Sequence, residues 1–154
     1  MSEDGDAAPP IADLEIVSAR VFEFPRDLVF SAWTDPVHLA HWWGPKGFTN
    51  SFNEFDLRRG GNWRFVMHGP DGVDYKNHSV FVEIHAPERI VFDHVSGPYF
   101  RVTASFDAVS DGETRITFRM LFGTPAVCAQ VRTFAVKANE ENFDRLQKEL
   151  KRMA

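Results

Sequence analysis

Only one cysteine, Cys128, stands in the 154 residues. A disulfide within the chain is therefore excluded, and nothing points to an oxidising compartment. Cys128 lies between Val127 and Ala129 and reads as a small buried side chain rather than a reactive thiol. No apolar run approaches the length of a membrane span. Met1 to Pro10 lacks the basic start and apolar stretch of a signal peptide, so a cytoplasmic location is the default expectation. That stretch is acidic and rich in small residues, which predicts a disordered tail over residues 1–12 ahead of one domain over 13–154. Basic residues are outnumbered: 17 Lys and Arg against 22 Asp and Glu leave a net charge of −5. Such a chain is not built to hold a polyanion, and a pair such as Arg58-Arg59 is no patch, so no nucleic-acid partner is expected.

Recognisable chemistry is absent as well. There is no G-x-S-x-G elbow, phosphate loop or dinucleotide fingerprint, so neither a catalytic motif nor a cofactor is expected. Ser, His and Asp all occur, but composition alone makes no triad. His38 and His41 stand three apart, as a metal pair would on a helix. No Cys or carboxylate cluster completes them, and no metal site is expected.

What the chain has in excess is aromatic surface: 14% of residues, with 15 Phe among them. Bulky rings must be buried or must line a cavity. Leu14 to Phe24 predicts a first strand, with Leu14, Ile16, Ala19 and Val21 sharing a face, and Pro25 ends it. Arg26 to Trp33 and Val37 to Trp43 predict two short helices, the second capped by Asp35 with Pro36 at its first position. From Phe48 the period becomes two, and Phe48 and Phe52 share one phase while Phe55 and Leu57 share the other. That flip predicts a β-bulge near Asn53-Glu54. Trp63, Phe65 and Met67 alternate, as do Val80, Val82 and Ile84, then Phe100, Val102, Ala104 and Phe106, then Ile116, Phe118, Met120 and Phe122. Ile90 to Val95 adds another strand, and short Gly-, Pro- and Asp-containing turns between neighbours predict an antiparallel meander. The remainder predicts one helix, starting at Thr124-Pro125 with an irregular stretch allowed before Arg132. Val136, Asn139, Phe143, Leu146, Leu150 and Met153 form its apolar stripe, and Glu140, Glu141, Asp144, Lys148, Glu149 and Lys151 decorate the rest. The fold class is α+β: a one-sided sheet and a one-sided helix, each burying its apolar face against the other.

Several separated motifs also carry a family likeness: Phe24-Pro25-Arg26-Asp27-Leu28-Val29-Phe30, Ala32-Trp33-Thr34-Asp35-Pro36, Trp42-Trp43-Gly44-Pro45, Gly60-Gly61-Asn62-Trp63, Met67-His68-Gly69-Pro70-Asp71-Gly72, Pro87-Glu88-Arg89-Ile90 and Phe143-Asp144-Arg145-Leu146. Over about residues 15 to 152 they resemble the START/Bet v 1-like (SRPBCC) superfamily, closest to its Hsp90-ATPase-activator-homologue (AHSA1-like) branch. The resemblance implies a helix-grip fold, a curved antiparallel sheet of six or seven strands around a C-terminal helix with a cavity between. It is weak for function, because this fold hosts lipid carriers, cyclases and chaperone partners. Chaperone activation is disfavoured, since the eukaryotic activator also carries a separate N-terminal domain for which 154 residues leave no room.

The leading expectation is a cavity that binds a small apolar or aromatic molecule, lined by Trp63, Phe65, Met67, Val80, Phe100, Phe118, Met120 and Phe143. Val82 shares the inward phase assigned to Val80. His78 shares the phase of Val80, and His94 that of Ile90 and Phe92, so both are expected inward as polar handles. Asn139 interrupts the helix stripe and needs a partner. The alternatives are a cyclase or dehydratase using His78, His94 or Glu54 as acid or base, and a protein-interaction module around Trp42-Trp43. Of those two tryptophans, one is expected in the core and the other over the pocket mouth or exposed. A homodimer is left open.

Overall fold

The computed structural model describes residues 8–154. The tail expected over residues 1–12 falls mostly outside it; Ile11–Asp13 forms one exposed 3-10 turn. Strand β1 (Glu15–Phe22) is followed by helices α1 (Arg26–Thr34) and α2 (Pro36–Trp42). Six strands come next: β2 (Thr49–Phe55), β3 (Asn62–His68), β4 (Asp74–His85), β5 (Arg89–His94), β6 (Phe100–Ser110) and β7 (Glu113–Phe122). Helix α3 (Pro125–Met153) closes the chain. The seven strands form one antiparallel sheet in the order β1-β7-β6-β5-β4-β3-β2. This is the helix-grip architecture that the sequence predicts.

The order explains the two short helices. β1 and β2 lie at opposite edges, so the segment joining them must cross the sheet. α1 packs on β6 and β7 while α2 packs on β2, which closes one end of the concave face. Asp35 caps α2 by accepting from the Val37 N–H at 3.0 Å. The bulge expected near Asn53-Glu54 is present, as the β2–β3 register shifts between Phe52 and Glu54. Its flip brings Phe52 and Phe55 to one side, stacked at 5.9 Å.

Three phases differ from expectation. In β1 the buried positions are Ile16, Ser18 and Phe22, whereas Ala19 and Val21 face out. In β4 the buried side chains are Ser79 and Phe81, so Val80, Val82 and His78 belong to the outer face. A second bulge between Phe81 and Glu83 then returns Ile84 to the core. β-branched residues favour strands on either face, so three of them in alternation do not mark the inner one. The single large ring, Phe81, takes that place. In α3, Val136 is 48% exposed, and Cys128, Val131 and Ala135 supply the buried stripe instead. The helix is continuous from Pro125, because Thr124 accepts from the Val127 N–H and fixes its start.

The solid part of the core lies under the C-terminal half of α3. Phe143 meets Phe22 edge-on at 5.6 Å, and Leu146 and Leu150 are fully buried. Trp33 and Trp42 pack at 4.8 Å beside them, and the Trp42 indole donates to the Ala32 carbonyl. Burial of a large side chain here predicts a loss of about 2–5 kcal/mol for Leu146→Ala by urea unfolding. Val136→Ala should stay within about 0.5 kcal/mol. Equal losses at the two positions would contradict this assignment of the helix face.

Candidate functional site

Along α3 the size of the inward residues changes. Phe143, Leu146 and Leu150 fill the C-terminal half, but Val131, Ala135 and Ala138 face the sheet further up. Opposite those small residues the sheet is not filled, and a cavity of about 250 Å³ remains. Phe65 and Met67 of β3, Phe92 of β5, Val102 of β6 and Phe118 and Met120 of β7 form its apolar floor. Trp43 walls the end toward the short helices, 5.1 Å from Trp63. An outer vestibule of about 670 Å³ adjoins the cavity, sharing Met67, Asn77, His94, Pro98, Phe134 and Ala138. Phe134, 61% exposed, and the half-exposed Tyr75 stand in that vestibule.

The turn beside Trp43 is held from α3. Arg145 donates from Nη1 to the carbonyls of Trp43, Gly44 and Pro45 and from Nη2 to that of His41. Burial lowers the pKa of this guanidinium. Gly44 is required at its place: its φ is +99°, and a Cβ there would come within 2.6 Å of Met67 Cε.

Of the residues expected in the site, Phe65, Met67, His94, Phe100, Phe118, Met120 and Asn139 line the cavity. Trp63 and Phe143 lie behind it as packed core. Val80 and His78 do not reach it, since the β4 phase turns them outward; His78 Nε2 bonds Asn62 Oδ1 there at 2.9 Å. Glu54, the other nominated acid or base, pairs with Arg64 on the exposed side. Of the Trp42-Trp43 pair, Trp42 is the core residue and Trp43 the one at the pocket; sequence reasoning missed Ser79 and Phe92 as lining residues, along with the helical residues Ala135 and Ala138. Phe81 was the available signal for Ser79: placing the larger ring inward puts Ser79 inward with it.

The polar groups of the cavity have distinct environments. Asn139 Nδ2 donates to Ser18 Oγ at 3.2 Å, and Asn142 Oδ1 accepts from the Gly44 N–H. The His94 ring stacks on Phe100 at 4.6 Å. Its Nδ1 faces the Pro98 carbonyl at 2.9 Å and its Nε2 faces Asn77 Oδ1 at 2.8 Å. Burial lowers the His94 pKa, against a smaller opposing effect of the Pro98 carbonyl. Ser79 is 1% exposed and its Oγ has no hydrogen-bond partner.

Two further clusters stand apart. Ser51 Oγ lies 2.8 Å from His68 Nε2, and His68 Nδ1 lies 2.7 Å from Asp74 Oδ1, in the order of a hydrolytic relay. All three sit on the open outer edge of the sheet with Ser51 and Asp74 exposed, where water competes for each bond. The second cluster shows that Glu149 does not decorate the surface, as its place among charged neighbours suggests. It is 2% exposed, and its Oε2 accepts from Nδ1 of His38 at 2.7 Å and of His41 at 3.3 Å. Arg152 occupies Oε1. The carboxylate missing near the histidine pair thus arrives from α3, but with an arginine on its other oxygen. Among the described residues no group of three His, Cys, Asp or Glu is placed to hold a metal.

Burial raises the Glu149 pKa, but bonds from His38, Arg152 and His41 outweigh it and the net shift is downward. A carboxyl with a depressed folded pKa stabilises the fold above its unfolded value of about 4.3, and loses that contribution as pH falls through the folded value. Glu149→Gln should therefore flatten the acid limb of stability against pH, measured by urea unfolding between about pH 3 and 6. Glu149→Ala should cost about 1–3 kcal/mol near neutrality, from the charge-assisted hydrogen bonds it removes. An unchanged acid limb in the Gln variant would refute the linkage.

Comparison with known proteins agrees with this geometry. The family model described as "Activator of Hsp90 ATPase homolog 1-like protein" matches residues 23–151. A Nitrosomonas europaea protein structure is 24% identical, covering 96% of this chain and 100% of its own, with a TM-score of 0.85. A Rhodobacter sphaeroides protein is 21% identical over 95% and 98%, with a TM-score of 0.84. An AHSA1-like protein from Aeromonas hydrophila is 21% identical over 91% and 94%, with a TM-score of 0.73. At these identities the likeness is one of fold. No curated protein matches the sequence.

Proposed function

The chain belongs to the Activator of Hsp90 ATPase homolog 1-like family, and on that premise we propose that it binds a small apolar or aromatic molecule between its sheet and α3. The observation that carries this reading is the change in residue size along α3. Ala135 and Ala138 stand opposite Phe65, Phe92 and Phe118, so space is kept where the same helix elsewhere fills it. Apolar walls with a few convergent polar groups are the usual composition of a ligand site. The space is large enough: a cavity of about 150 Å³ holds a benzene ring, and this one is about 250 Å³. The vestibule lined by Phe134, Tyr75 and Phe48 supplies a route in and a place for a longer ligand to extend.

A protein-interaction role, including chaperone binding, would be supported by an exposed patch at Trp42-Trp43. Trp42 is buried and Trp43 faces the cavity, so that support is missing. No helix among the described residues is long and apolar enough to cross a membrane.

Native mass spectrometry of the freshly purified protein, with titration of two-ring aromatics followed by the fluorescence of its four tryptophans, tests the proposal. One bound molecule per chain is expected. Ala135→Phe, which fills the cavity from the helix side, should weaken binding by about tenfold or more while the chain stays folded. Binding unaffected by that substitution would place the ligand elsewhere and overturn the reading.

A further inference from the structure

Four buried polar atoms lack a partner among the described residues: Trp33 Nε1, Asn50 Oδ1, Trp63 Nε1 and Ser79 Oγ. Only Ser79 belongs to the cavity lining. A fully buried hydroxyl without a partner is a destabilising feature, and native proteins keep few of them. At the same end of the cavity stands a second imbalance. Ser79 and His94 are direct cross-strand partners in the β4–β5 ladder, so their side chains lie side by side on the inner face. Asn77 follows on that face, two residues along β4. Its Nδ2 donates to the Tyr75 carbonyl, which turns Oδ1 toward His94 Nε2. His94 meets the Pro98 carbonyl at Nδ1, and at Nε2 it meets Asn77 Oδ1 and, at 3.4 Å, the Ser96 hydroxyl. A neutral imidazole has one N–H, so it serves the Pro98 carbonyl or Asn77 Oδ1 and not both. The Ser79 end thus offers a free hydroxyl beside the acceptor Asn77 Oδ1.

We propose that Ser79, with Asn77 and His94, forms a subsite that selects a ligand carrying a hydroxyl group on its apolar or aromatic body. The inference rests on the cavity-binding reading above and sharpens it. A hydroxyl is the group that suits both neighbours, because it accepts from the Ser79 O–H and donates toward Asn77 Oδ1. An ether or ketone oxygen meets only the first need. A hydrocarbon meets neither, and a carboxylate brings a charge into apolar walls with no cation lining them. On the helix side, Asn139 Nδ2 and Asn142 Oδ1 are held by protein partners.

The test compares naphthalene, 2-methoxynaphthalene, 2-naphthol and 2-naphthoate by calorimetric titration of the wild-type chain and of Ser79→Ala. In the wild type, 2-naphthol should bind about tenfold more tightly than naphthalene, with the methoxy compound between them and naphthoate weakest. In Ser79→Ala the advantage of 2-naphthol over naphthalene should shrink severalfold while naphthalene binding is kept. The free Ser79→Ala protein should melt about 2–4 °C higher than the wild type, since an unpartnered hydroxyl has been removed from the core. Equal binding of naphthol and naphthalene by the wild type, or an undiminished naphthol advantage in Ser79→Ala, would overturn the subsite and leave the cavity reading intact. A lower melting temperature for the variant would show the hydroxyl already bonded and remove the premise. Failure of all four compounds to bind would defeat the cavity reading itself, and the subsite with it.

Discussion

The structure depends on how much of the sheet's concave face a single helix can cover. Seven strands curve around α3, and only its C-terminal half carries side chains large enough to reach the floor. Phe143, Leu146 and Leu150 meet β1 and the short helices there, and this block is the anchor of the fold. Above it the inward apolar residues are the small Val131, Ala135 and Ala138, joined by Asn139. The helix is stiff, so the anchored half holds the other half at its distance from the sheet. The cavity is thus a consequence of a rigid rod with a stepped profile.

That arrangement requires the short helices to stay fixed relative to α3, because they form the closed end. Two charged side chains from one stretch of α3 do this. Arg145 gathers four carbonyls from the end of α2 and the turn after it. Glu149 takes both imidazoles of α2. Carbonyls left at a helix end need donors, and a guanidinium satisfies several at once. The result places Trp43 against the cavity and not in solvent. A contact far from the cavity's polar end therefore sets the shape of its wall.

Much of this fold was legible in the sequence. The one-sided alternation of Phe100 to Phe106 and Ile116 to Phe122 fixed two strands and their inner faces, and the flip between Phe52 and Phe55 located the bulge. Seven of the eleven expected lining residues reach the cavity. The failures share a cause. In β4, face was inferred from Val80 and Val82, although β-branched side chains suit either side of a half-covered sheet and a bulge changes the phase midway. In α3, the stripe drawn through Val136 misses the buried face, where the small Ala135 borders the cavity. Glu149 reads as a surface charge in the sequence because its histidine partners lie more than a hundred residues away. Local patterns report local geometry; they do not report which distant element arrives to pair with a charge.

A void is not free of cost, which bears on why it is kept. A sealed empty space of this size in a well-packed core would cost about 6 kcal/mol, comparable with the whole stability of a typical domain at about 5–15 kcal/mol. The vestibule reduces that cost by admitting water, but the walls are apolar and water gains little there. Leucine at 135 or 138 would narrow the gap with a residue of excellent helix propensity. The chain carries alanine at both positions, and beside them it leaves a buried serine hydroxyl unpaired. Stability alone would favour filling the first and removing the second. Both features become favourable together only when something occupies the space, and that coincidence is the physical argument for a ligand.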